Sequence, residues 1–344
     1  MYNDEARRWE RDIFFVSQWS QTLCFTDLTR LLIQLSKMLS FLFSRLFSTL
    51  IVILGVVTLV FLLIHMVPGD PVQAMLGESA TFADQEALRV SLGLDQPLFI
   101  QWQSYMLGLL QGDLGNSLYS KSPIIEMIWE RFPATLELAL AGLLVALVLA
   151  LPLGSIAALR KDSVYDNGSM VFALLGVSIP NFWLGPMLIY LFSLTFGWLP
   201  VSGNEGFSSL ILPAITLGTA LAAILARMIR ATLLEVLNED YIRTARAKGL
   251  RESAIIIHHA LRNASLPIIT ILGLQLGTLL GGAVITEIVF AWPGIGQLTI
   301  ESIERRDYPV VQACILLISL SYVLVNTLTD LVYAWLDPRV RYSA

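Results

Sequence analysis

The chain is short of charge. Asp, Glu, Lys and Arg make up 14% of its 344 residues, against about 25% in a soluble globular domain. Apolar residues make up 56%, and the mean hydropathy is +0.69. A chain this apolar cannot hide its surface in one compact core, so lipid is its natural solvent. Cysteine is scarce too. Cys24 and Cys314 stand alone, with no metal or redox spacing, and Cys314 lies in an apolar run as a packing residue. Of three histidines, His258 and His259 are adjacent. No His-Glu-x-x-His, carboxylate pair or Ser/His/Asp set stands out, which argues against a membrane enzyme and gives no metal site. No Gly-x-x-x-x-Gly-Lys-Ser/Thr loop cradles phosphates, so an ATP site would lie on another chain. The net charge of −5, without a broad basic field, argues against nucleic acid.

What the chain does have is long uncharged runs. No full charge falls between Arg45 and Asp70, Glu137 and Arg160, Asp166 and Glu205, or Glu205 and Arg227. The same holds from Arg262 to Glu287 and from Asp307 to Asp330. Each run exceeds the roughly 20 residues a spanning helix needs. The run after Asp166 is too long for one helix, and Gly197 to Gly203 carries turn residues, so it reads as a helix and an exit loop. The spacing predicts spans near 46–67, 134–159, 168–194, 209–230, 265–289 and 309–335. Continuous apolar runs such as Leu50 to Val57 are helices, not the short alternating strands of a barrel.

Basic residues favour the cytoplasmic ends of spans. Arg160 and Lys161, then Arg227, Arg230, Arg243, Arg246, Lys248, Arg251 and Arg262, then Arg339 and Arg341 lie on one side. The 195–208 loop has none; Arg305 and Arg306 lie outside, with Glu301, Glu304 and Asp307 beside them. The expected fold is therefore an all-α polytopic membrane protein with six spans and both termini cytoplasmic. Its parts are an N-terminal extension over 1–37, a first span over 38–67, an external helical segment over 68–133, and a transmembrane core over 134–341. A cytoplasmic helical segment, 231–264, joins spans four and five. The extension lacks a signal-peptide core. Two readings stand for it: an interfacial amphipathic helix, or untranslated sequence before a start at Met38.

The most informative stretch runs from Asp240 to Leu250, continuing through His259 to Pro267. Good helix formers precede Gly249, which suits a left-handed helix terminus. A second helical stretch begins at Ala254, and Pro267 suits the first turn of span five. By residue chemistry alone this is either a solvated basic loop or a short exposed helix that seats in another protein's groove.

The order of these residues resembles the EAA-type loop of binding-protein-dependent ABC importer permeases. Thr244 and Ala245 take its small positions and Gly249 its glycine, while Arg243 and Arg262 stand where the general motif has an acid and a proline. Both departures are those of the oligopeptide, dipeptide and nickel branch. Pro68-Gly69-Asp70-Pro71, Leu92 to Pro97, Gly112-Asp113-Leu114-Gly115, Arg131 to Leu136, Ser178 to Gly185, Ala291 to Gly296 and Leu336 to Arg339 are similar to that branch in the same order. The likeness covers about residues 40–341 and suits the first of the two permeases in such systems. It implies a bacterial inner-membrane transport subunit for peptides or a related small solute. Its partners would be a second permease, as a heterodimer, two ATPase subunits carrying ATP and Mg, and an external binding protein. Arg243, Thr244, Ala245, Lys248, Gly249 and Leu250 would form the ATPase-coupling turn.

Polar and small residues in the spans have readings of their own. Gly273, Gly277 and Gly281 recur every four residues, a stripe for close helix approach. Pro180 predicts a kink in span three. Gln275, Glu287 and Asn326 are candidates for a substrate path, although Glu287 and Asp330 lie near helix ends, where interfacial exposure explains them equally well. His65 falls near the outer interface. The alternatives are a secondary transporter or channel not coupled to ATP, and a membrane scaffold. The spans show no broken-helix pairs or filter-like loop of the kind the first would need. The cargo is set by a binding protein and is not legible here.

Overall fold

The computed structural model describes residues 44, 46–62, 65, 66, 72, 76, 81–91 and 93–336. The 1–37 extension with Cys24, the Pro68–Pro71 motif, Leu92, and the closing motif from Asp337 onward lie outside the described residues. Packing divides the chain into residues 1–52 with 337–344, and residues 53–336. The account below concerns the second unit.

Among the described residues the chain is helical, with a single isolated β-bridge between Asn116 and Pro123. An apolar helix, α1, runs Leu46–Leu62. Two shorter helices follow, α2 at Phe82–Ser91 and α3 at Leu98–Leu110. Three helices are long and apolar enough to cross a membrane unbroken: α4 at Ile124–Leu159, α7 at Phe207–Leu237 and the last helix, α13, within Tyr308–Leu336. Two bent pairs raise the possible crossings to five, by length and composition, and α1 is shorter than these. Each predicted span overlaps one of these helices or bent pairs, the first overlapping α1.

The broken pairs correct the sequence expectation of uninterrupted spans. Span three is α5, Val164–Ser178, and α6, Asn181–Leu188, which continues as a π-helical stretch, Ile189–Thr195. The two halves meet at 100°. Pro180 has no N–H to continue the ladder and forces Ile179 into an extended conformation, φ −88 and ψ 114. The result is a break rather than the predicted kink. Span five bends by 54° between Glu252–Ser265 and Pro267–Leu280. Pro267 thus sits inside a continuing helix rather than at the start of one.

The core is built around α7, whose apolar window is 72% buried, against 28% for α4 and for α13. It packs along α4 by means of small residues. An added Cβ at Gly154 would meet the Ala226 carbonyl at 2.6 Å, and one at Gly218 would meet the Gly142 carbonyl at 2.6 Å. Ala146, Ala150 and Ala157 are fully buried on the same face of α4. In lipid there is no hydrophobic drive between helices, so backbone approach of this kind supplies the contact. The Gly273 and Gly277 stripe does the same for α10, Leu261–Gly282, against Thr329 and Tyr322 of α13.

Candidate functional site

The 240–260 stretch is a helix, α8 at Asp240–Ala247, a turn, and a short helix, α9 at Glu252–Ala254, continued by π-helical Ile255–Ala260. The turn is a full Schellman motif. Gly249 adopts φ +76. The Leu250 N–H reaches the Ala245 carbonyl (3.4 Å) and the Gly249 N–H reaches the Arg246 carbonyl (2.9 Å). This matches the left-handed terminus expected at Gly249. Open space surrounds its Cβ position, so the glycine is required by conformation and not by crowding within this chain.

The segment has two faces. Ile242 and Ala245 are buried with Ile255, Ala260 and Ala264, in one cluster with Ile229 and Leu233 of α7. Arg243, Thr244, Lys248, Gly249 and Leu250 are exposed. Ala245 therefore faces its own core, on the side of α8 that packs against the Ile255–Ala260 stretch. Arg246 pairs with Glu252 across the turn, Nε to Oε1 at 2.7 Å. Asn263 Nδ2 donates to the Tyr241 hydroxyl (2.7 Å), tying α8 to the foot of span five. Nearby, Asp166, 2% exposed at its side chain, accepts Arg230 Nε and Nη2 at 2.6 and 2.7 Å and the Asp162 N–H at 2.9 Å. That pair joins the first turn of α5 to α7. Sequence reasoning used Arg230 only as a topological marker and missed its partner.

At the other end of the molecule the structure overturns the interfacial reading of Glu287. It is 0% exposed. Oε1 accepts the Thr135 hydroxyl (2.7 Å), and Oε2 accepts the Gln297 N–H (3.0 Å). Thr135 in turn accepts the Ile295 N–H (2.8 Å), and Trp292, fully buried, donates Nε1 to the Ala134 carbonyl (2.8 Å). The turn between α11, Val284–Val289, and α12, Ile295–Glu304, closes around this carboxyl group. Gly294 leaves it room, since a Cβ there would meet it at 2.3 Å. A second buried acid, Asp307, accepts the Ser117 hydroxyl (2.5 Å) and the Leu118 N–H (3.0 Å). Asp307 was noted in the sequence only as a companion of two arginines. Its hydroxyl and backbone partners lie 190 positions earlier, beyond reach of any local pattern.

Gln275 and Asn326 are not brought together with Glu287. Gln275 is half-buried and accepts the Thr278 hydroxyl (2.9 Å). Asn326 Oδ1 is buried beside Gly277, with no hydrogen-bond partner among the described residues. Cys314 is buried among Ile295, Leu298 and Val310, as a packing residue should be.

A bundle of apolar helices around a central one, two of its spans broken, with a capped amphipathic turn on the basic side, is the architecture of a transport permease. The sequence confirms the class. Residues 150–342 match the family described as binding-protein-dependent transport system inner membrane component, and residues 38–139 match that family's N-terminal component. The chain belongs to this family.

It is 46% identical to the glutathione transport system permease protein GsiC of Escherichia coli O6:H1 over 285 residues, 83% of this chain and 93% of the relative. The same-named protein of Pectobacterium atrosepticum is 45% identical over 291 residues, 85% of this chain and 95% of the relative. Among solved structures, an inward-facing form of the MetNI methionine ABC transporter superposes with TM-score 0.53 at 19% identity, over 62% of this chain and 97% of that one, a likeness of fold. The chain is thus an inner-membrane permease subunit of an ATP-driven importer of the oligopeptide/dipeptide branch. ATP is hydrolysed on separate subunits, and the family implies ATPase and substrate-binding partners.

Proposed function

We propose that the chain carries small peptides inward as one half of a heterodimeric permease pair, with two ATPase subunits beneath and a binding protein outside. Support for the cargo class comes from relatives named for glutathione, itself a tripeptide-sized solute. The six helical units (α1, α4, the α5–α6 pair, α7, the bent span five and α13) are six crossings with both termini inside, by the basic-residue balance. The 68–133 segment lies outside and 231–264 inside.

The observation that carries the mechanism is the two-faced coupling segment. Arg243, Thr244, Lys248, Gly249 and Leu250 face away from the chain, while Ile242 and Ala245 are buried in the cluster that also holds Ile255, Ala260 and, from the central helix α7, Ile229 and Leu233. An ATPase groove that closes on ATP pulls the exposed face, and the buried face passes that displacement to the bundle. ATP then favours one of two access states through a difference in contacts. Glu287 is sealed in its knot, so we assign the polar path to Gln275 and Asn326. Asn326 offers a carbonyl oxygen that a peptide N–H can use.

The test is reconstitution in proteoliposomes with a second permease, ATPases and a binding protein of the same transport system. Gly249→Val forces a β-branched residue into φ +76 and should release the ATPases and abolish ATP-driven uptake. Gly249→Asn, which tolerates that conformation, should retain both. Uptake that survives Gly249→Val, with the ATPases still bound, would refute the coupling role.

A further inference from the structure

The helix α3, Leu98–Leu110, lies in the segment assigned to the outside, yet it lacks the charged residues of a water-exposed helix. No charge falls between Asp95 and Asp113. One face packs on the first span. Trp102 Nε1 donates to the Thr58 hydroxyl (3.2 Å), Tyr105 stacks on Phe61 with ring centroids 5.9 Å apart, and Gln101 meets His65 at 3.1 Å. The opposite face is open and mostly apolar, with Gln103 as the polar residue among its large side chains. Phe99 is 64% exposed, Leu107 58% and Leu110 84%, with Ile100 beside them. An uncharged helix that leaves so many large apolar side chains open belongs in a core or in lipid, and at 13 residues it is too short to cross.

Depth decides what covers the open face. With span one predicted over 46–67, Thr58 lies nine residues, about 13 Å, below its outer end. The hydrocarbon half-thickness is about 15 Å. The Trp102 anchor therefore lies within the outer leaflet, on a span whose own Leu54, Leu59 and Leu62 are exposed to the same surroundings. The geometry points to α3 being a membrane-seated helix: the acyl chains of the outer leaflet cover Phe99, Leu107 and Leu110, continuous with the lipid face of span one. The helix takes no part in the aqueous external surface, and Asp95 and Asp113 mark where the chain returns to the headgroups. This rests on reading α1 as a membrane span.

The test is spin-label accessibility in the assembled transporter in lipid nanodiscs, with Cys24 and Cys314 replaced by alanine. Single labels are placed at Leu107→Cys, Leu110→Cys, Leu54→Cys and Asp95→Cys. Seating in lipid predicts that oxygen collisions exceed those of a water-soluble nickel chelate several-fold at 107 and 110, as at 54, with the reverse at 95. An aqueous signal at 107 and 110 with a lipid signal at 54 would overturn the proposal alone. Labels at 107 and 110 shielded from both reagents would mean that a protein partner covers the face, and would overturn it too. An aqueous signal at 54 would remove the first-span reading and this proposal with it.

Discussion

The two ends of the molecule are fastened by different chemistry. At the end assigned to the outside, Glu287 and Asp307 are buried acids held by hydroxyls and backbone N–H groups: Thr135, Gln297, Ser117 and Leu118. At the end assigned to the inside, the fastenings are ion pairs: Asp166 with Arg230, and Arg246 with Glu252. Hydrogen bonds from backbone groups fix direction as well as distance, and in the turn around Trp292 even Ala291 is held at φ +47. The bidentate Arg230–Asp166 pair is directional too, whereas the exposed Arg246–Glu252 pair tolerates rotation about two long side chains. That looser fastening lies at the turn where we place the ATPase contact.

The largest effect should come from breaking the buried ion pair. Arg230→Met leaves Asp166 charged and without its partner, at a cost of about 3 kcal/mol. The double variant Arg230→Met/Asp166→Asn should recover most of the loss, because the uncompensated charge is what costs. Denaturant unfolding of the purified subunit, followed by helix content, measures both. If the single and double variants are equally unstable, the pair is not what fastens the inner loop.

The outer turn should respond somewhat less. Thr135→Val keeps the shape and removes both the donor to Glu287 and the acceptor of the Ile295 N–H. The expected loss is about 2 kcal/mol, and the ATPases should still bind, because the inner end is untouched. Loss of ATPase binding in this variant would contradict the independence of the two ends. Gly154→Ala tests the helix contact between them. Its Cβ would press on the Ala226 carbonyl, which is backbone and cannot yield cheaply, so about 1–2 kcal/mol is expected, read as a lower Tm.

The contrast between the ends also explains what could be read in advance. Spans were legible because lipid imposes length and apolarity on contiguous residues. The Gly249 turn was legible because a left-handed terminus is a local demand. Glu287 was misjudged because its position near a helix end says nothing about Thr135 and Trp292 folding over it. Asp166 and Arg230 are 64 positions apart, and neither stands in a recognisable motif. The α4–α7 contact could have been found: Gly142, Ala146, Ala150 and Gly154 recur every four residues, as clearly as the Gly273 stripe does. Pro180 was visible, but a kink and a 100° break differ only in what the two halves pack against.

The smallest expected effect separates the two inner ion pairs. Arg246 and Glu252 are 43% and 59% exposed at their side chains, so water and salt screen them, and such pairs contribute at most about 0.5 kcal/mol. Arg246→Ala should leave stability within about 0.5 kcal/mol of wild type, and that small difference should vanish at high salt. Ile242→Ala should cost about 2 kcal/mol, since it empties a fully buried site in the cluster that α8 shares with Ile255 and Ala260. If Arg246→Ala proves the more damaging of the two, the coupling segment is held by charge and not by packing. Movement of its exposed face would then reach α7 through the turn rather than through Ile242.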